Sequence, residues 1–154
     1  MYKRVLIPLD GSELAEAILP FAEQVAGPLD AEVVLLRVVE AVSAVEAIAS
    51  AGVIAPDTFA IREMEAKRYL HEVERRLSKK GLRVRTRIAL GSPAEAILGA
   101  IHTSVVDLVA MTTHGRSGLG RALFGSVAES VLRVSPVPVL LIRMPAKHTS
   151  AIEE

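Results

Sequence analysis

Val105-Val-Asp-Leu-Val-Ala-Met-Thr-Thr-His-Gly-Arg-Ser-Gly-Leu-Gly-Arg-Ala-Leu-Phe-Gly-Ser-Val-Ala-Glu129 is the stretch on which the fold of this 154-residue chain turns. It opens as a short apolar run, Val105 to Met111, bounded by turn residues, which is the pattern of a buried strand. A loop carrying Gly115, Gly118, Gly120 and Gly125 follows. The stretch closes on Ser126, at the head of an amphipathic helical pattern, with Ser126-Val-Ala-Glu129 spaced as a capping box. Strand, glycine loop and helix start together make a phosphate cradle. Glycines let backbone N–H groups approach an anion, and the helix end adds unpaired donors and partial positive charge.

Working outward, the same alternation recurs along the chain. Lys3–Leu9 reads as a first strand with Pro8 near its end, where a ladder donor is dispensable. Asp10-Gly11-Ser12 is a turn, Ser12 an N-cap, and Glu13–Ala26 one helix stopped by Gly27-Pro28. Glu32–Val39 is nearly all apolar, as a strand covered on both faces should be. Residues 41–56 form a long alanine-rich connection. A helix from Asp57 or Thr58 to about Lys80 follows, with Phe59, Ile61, Met64, Tyr69, Leu70, Val73 and Leu77 as its inner stripe. Leu82–Leu90 alternates apolar residues with Arg83, Arg85 and Arg87, which suits a strand at a sheet edge. Ser92, Pro93 and Glu95 are the capping box of the next helix, which runs to about Thr103. After the opening stretch, Val137–Arg143 is a last strand and 145–154 a disordered tail.

Five strands alternating with helices predict an α/β domain over residues 1–144, with a parallel sheet and helices on both faces. Ligands in such sheets bind beyond the carboxyl ends of the strands, where strand order reverses. In a Rossmann-like order, 3-2-1-4-5, the first and fourth strands are neighbours, and the loops after Pro8 and Thr112 face each other. A flavodoxin-like order would put the crevice between the first and third strands instead. The facing of the two loops favours the first order.

Composition narrows the function. The apolar fraction of 51% and the charged fraction of 23% are those of a globular domain. A formal net charge of zero gives no electrostatic reason for a nucleic-acid or anionic-membrane partner. Without cysteine there are no disulfides, thiolate catalysis or cysteine zinc sites. The N-terminus lacks a secretory layout and no run is apolar enough to span a membrane, so a cytoplasmic protein is expected. Asparagine is absent and Gln24 is the one glutamine, a bias that fits heat adaptation or a GC-rich genome. Walker A and Gly-x-Gly-x-x-Gly motifs are both missing, which argues against P-loop and dinucleotide-dehydrogenase chemistry. His71, His102, His114 and His148 are scattered and make no metal set, and His114 lacks an evident carboxylate partner.

Thr112-x-x-Gly115, nine residues, then Gly125-Ser126-Val127 and Pro136-Val-Pro-Val-Leu-Leu-Ile142 resemble the universal stress protein family, as does Val5-Leu-Ile-Pro-Leu-Asp-Gly-Ser12. The resemblance covers Lys3–Arg143. It implies a Rossmann-like domain of strand order 3-2-1-4-5 and a homodimer formed through the last strand, Val137–Arg143. It also implies, in one of two subclasses, ATP bound through Gly-x-x-Gly, nine residues, Gly-Ser/Thr. Carried onto this chain, the nucleotide contacts are Pro8, Asp10, Val38, Met111, Thr112, Gly115, Gly125, Ser126 and Val127. Asp10 and Val38 fall at the adenine and ribose, and Gly125, Ser126 and Val127 at the phosphates. Apart from the resemblance, Arg116 and Arg121 are candidate phosphate contacts or ordinary exposed loop arginines, and Mg²⁺ or Mn²⁺ carried in on the phosphates is the metal to expect. The chain departs from the motif at one place: Thr112 stands where the pattern has its first glycine.

The implied function is an ATP-binding, stress-responsive regulatory dimer with little or no catalysis, because no activated nucleophile or general base accompanies the cradle. A slow ATP hydrolase or nucleotidyl transferase would use Asp10 to place a metal or water. A pure interaction module would follow if Thr112 closed the pocket.

Overall fold

The computed structural model describes residues 1–40, 58–114 and 124–143, and the expectations for 41–57 and for the tail lie outside them. The chain runs β1 (Arg4–Pro8), α1 (Glu13–Glu16), α2 (Leu19–Ala26), β2 (Glu32–Val39), α3 (Thr58–Ser78), β3 (Arg83–Leu90), α4 (Pro93–Thr103), β4 (Leu108–Thr112), α5 (Ser126–Val134) and β5 (Val139–Ile142). All four strand pairings are parallel, and the order is β3-β2-β1-β4-β5. This is the Rossmann-like order, and β3, with its arginines, is indeed an edge.

Strand alternation sorts the core into two layers. Val5, Ile7, Val33 and Leu35 face α2 and α3, where Ile18, Ala22, Leu70, Val73 and Leu77 complete one cluster. Leu6, Val34, Leu36, Val109 and Met111 face the other way, onto Ile97 and Ile101 of α4 and Ala128 and Val131 of α5. Each fully buried Leu, Ile or Val contributes roughly 1.5–3 kcal/mol relative to exposure. The central strands are therefore apolar on both faces because both faces are covered.

Three local expectations need correction. Glu13–Ala26 is two helices, because Pro20 has no N–H for the Glu16 carbonyl and forces a restart, sitting in the first turn of α2. On α3 the buried stripe is Ala66, Leu70, Val73 and Leu77, while Phe59, Ile61 and Met64 are exposed. Helical spacing from Ala66 puts Ile61 and Met64 on the outer face, and leaves Phe59 in register only at the helix's first turn. Ser92 occupies the N-cap of α4 and Pro93 its first turn, but the Ser92 side chain makes no capping hydrogen bond.

Candidate nucleotide site at the strand switch

The sheet changes direction between β1 and β4, and there the ladder is short. Its register covers only Val5↔Leu108 and Leu6↔Val109. On the flanks, β1 stays paired with β2 as far as Pro8↔Leu36, and β4 with β5 as far as Thr112↔Ile142. Pro8 supplies a physical reason. Leu9 N–H donates to Leu36 of β2 at 2.9 Å, and alternation aims the amide of residue 8 at β4 instead. Proline has no hydrogen to give there. The carboxyl ends of β1 and β4 are thus not laddered together, and this strand switch is where sheets of this kind take ligands.

On the β1 side, the crevice is lined by a turn that satisfies itself. Gly11 takes φ 85°, a conformation that favours glycine. The turn lets Asp10 Oδ1 accept from Ser12 N–H at 2.9 Å and from Ser12 Oγ at 2.5 Å. Ser12 Oγ in turn accepts from Ala15 N–H at 3.1 Å, capping α1 as its sequence position suggests. Asp10 is therefore a turn-forming residue in this structure, held at the mouth of the crevice.

On the β4 side, Thr112 is the buried last residue of the strand, paired with Ile142. Among the described residues, positive φ outside glycine occurs only at Asp30 and Val105. Thr112 thus has ordinary extended geometry, and its hydroxyl donates to the His114 carbonyl at 2.7 Å. Threonine suits a strand end and needs no glycine-only backbone. His114 Nδ1 lies 3.1 Å from the buried Thr113 hydroxyl.

Gly125 closes the loop against this strand end. Its N–H donates to the Thr113 carbonyl at 2.6 Å. A Cβ at this position would come within 3.1 Å of that carbonyl and 3.6 Å of His114 Cα. Its φ is −69°, so space rather than backbone angle calls for glycine here. Gly125, not Ser126, is the N-cap of α5, and no side chain caps the helix. The expected capping box fails by one residue: Glu129 is the fourth residue of the helix, and its carboxylate pairs with Arg133 at 2.7 Å. Ser126 instead begins the helix, leaving its hydroxyl outside any cap.

Val38, Met111 and Val127 pack on the same core cluster, on the α4/α5 face. Pro8 shares that face by alternation with Leu6. These four share one apolar face of the sheet, while Asp10 lies in the turn after β1 and Ser126 at the start of α5. Gly115, Arg116 and Arg121 lie outside the described residues. A separate open groove of ≈ 580 Å³ runs between α3 and β3, lined by Glu63, Lys67, His71 and Arg87 among others, away from the switch. Among the described residues, no group of three or more His, Asp or Glu is placed to hold a metal ion, and no helix is long and apolar enough to cross a membrane.

The family model for the universal stress proteins matches residues 1–143. The chain belongs to the universal stress protein family. Universal stress protein MJ0531 of Methanocaldococcus jannaschii is 33% identical over 148 residues, covering 96% of this chain and 86% of that one. The solved structure of MJ0577, from the same organism, superposes with a TM-score of 0.81 at 30% identity over 94% of this chain and 98% of that one. A universal stress protein solved in complex with cAMP superposes at 0.67 and 22% identity over 92% and 97% of the two chains, a likeness of fold alone.

Sequence reasoning missed a long-range link close to Asp10, which lies within electrostatic reach of Tyr69. Glu16 and Tyr69, whose side chains meet at 2.9 Å, are 53 residues apart, and no local pattern relates them.

Proposed function

We propose that this universal stress protein binds an adenine nucleotide, ATP foremost, in the crevice between β1 and β4, and acts as a regulatory homodimer with little or no catalysis. The observation that carries the proposal is the start of α5. Gly125 is pressed against Thr113, and the helix behind it has no side-chain cap. Its first-turn N–H groups suit an anion. Val38 and Met111 would flank the adenine and ribose with Pro8, and Asp10 would receive a ribose or base donor. Thr112 and Gly115 would line the approach to the phosphates. The phosphates would meet Gly125, Ser126 and Val127, with Arg116 and Arg121 adding charge and Mg²⁺ or Mn²⁺ bridging the phosphate oxygens.

Thr112 is compatible with this use, since its side chain is already turned to the His114 carbonyl. The dimer would form through Val137–Arg143. β5 is an edge whose four residues are all apolar and half-buried, and a second copy would remove that edge. A cytoplasmic location fits a nucleotide-responsive protein.

Mass spectrometry of the purified protein, followed by equilibrium titration with ATP and cAMP, tests the proposal. Co-purified adenine nucleotide, or saturable ATP binding, is expected. A nucleotide-free protein that binds neither ligand would leave only the interaction-module reading.

A further inference from the structure

Asp10 is tied to a helix far from it in sequence. Its Oδ1 holds Ser12, Ser12 caps α1, and α1 ends at Glu16. One Glu16 oxygen accepts from the Tyr69 hydroxyl at 2.9 Å, and the other accepts from Arg76 at 2.7 Å. Both donors belong to α3. Tyr69 is half-buried against the core, and burial together with the Glu16 hydrogen bond pushes its phenol above the usual range, keeping it a donor. Asp10 and Arg37 also lie within electrostatic reach of this phenol. The α1 helix has a single turn and little apolar surface of its own, with Ala15 its one buried residue. Isolated helices this short do not hold themselves together. Its orientation, and with it the turn at Asp10, depends on what grips it.

We propose that Glu16, gripped by Tyr69 and Arg76, is a positioning device for Asp10, so that α3 sets the geometry of the carboxylate at the mouth of the crevice. The inference rests on the nucleotide reading for its effect on affinity, but the grip itself can be measured without nucleotide. Tyr69→Phe keeps the packed ring and removes only the hydroxyl, so the fold is retained. Glu16→Gln is the second variant, keeping an acceptor for Tyr69 while losing the charge facing Arg76.

The experiment has two readouts on the full chain. Amide exchange of Ser12 and Ala15, whose N–H groups bond Asp10 and Ser12, is expected to quicken about fivefold in Tyr69→Phe and less in Glu16→Gln. ATP dissociation constants for wild type, Tyr69→Phe, Asp10→Asn and the double variant form a cycle. Tyr69→Phe is expected to weaken ATP about fivefold with Asp10 present and less than about twofold in the Asp10→Asn background. Unchanged exchange at Ser12 and Ala15 overturns the inference, as does an equal loss in both backgrounds. A wild type that binds no nucleotide overturns the nucleotide reading instead, and the exchange rates then decide the grip by themselves.

Discussion

The two lips of the crevice are built on opposite plans. The β1 lip satisfies its own polar groups, with Asp10 holding Ser12 and Ser12 capping α1. The β4 lip leaves its helix without a side-chain cap and brings glycine against a carbonyl, where any side chain would crowd. A self-satisfied lip can offer a fixed carboxylate. An uncapped helix start offers donors that an outside anion can use. The contrast separates positioning from binding, and substitutions can be chosen to break one lip without the other.

The largest effect is expected at Gly125. Gly125→Glu puts a carboxylate and a crowded Cβ at the uncapped helix start proposed to take the phosphates, and should weaken ATP on the order of 100-fold, since like charge there costs several kcal/mol. Titration calorimetry with circular dichroism as a fold control checks it. Ser126→Ala comes next: about tenfold weaker ATP binding, as for one lost hydrogen bond to a charged group. Its stability should change by less than about 0.5 kcal/mol, because Ser126 caps nothing. A denaturant melt that shows a full capping loss would restore the box that the geometry of α5 denies.

Thr112→Gly is a sharper test of the β4 lip. It removes a buried hydroxyl bond and loosens a strand end, and should lower stability by about 1–2 kcal/mol while leaving ATP affinity within about threefold. A large gain in affinity would show that threonine obstructs the site. On the β1 lip, Ser12→Ala should cost about 1 kcal/mol as a lost cap, a fall of about 2–4 °C in melting temperature. The contrast with Ser126→Ala, an equal truncation at another helix start, is the point of the pair. Smallest in functional effect is Val105→Gly, in the turn between α4 and β4, where the sequence reads as strand but the structure has not yet entered it. Val105 is an exposed valine at φ 52°, and glycine there should add about 1 kcal/mol of stability without changing ATP affinity.

Much of this molecule is legible in its residues because the signals are local. The apolar run Glu32–Val39 announces a strand covered on both faces, and the arginine alternation from Arg83 to Arg87 announces an edge. The strand order needs one further step, the facing of the loops after Pro8 and Thr112. What fails is finer than a turn. The capping box at Ser126 is displaced by one residue because Gly125, held to the Thr113 carbonyl, takes the cap position first. Pro20 hides inside an apolar pattern that both of its flanking helices continue. On α3, Ala66 carries the buried stripe that the larger Ile61 and Met64 suggest for themselves. The Glu16–Tyr69–Arg76 grip is unreadable for a different reason: it exists only once α1 and α3 share a face of the sheet.

The most direct test is an amide-resolved NMR titration of the wild-type chain with ATP, alongside adenosine. Binding in the crevice with phosphates on α5 should shift the Gly125, Ser126 and Val127 amides strongly with ATP and weakly with adenosine, while Val38 responds to both. Shifts confined to the α3–β3 groove, or ATP and adenosine moving the α5 amides equally, would contradict it.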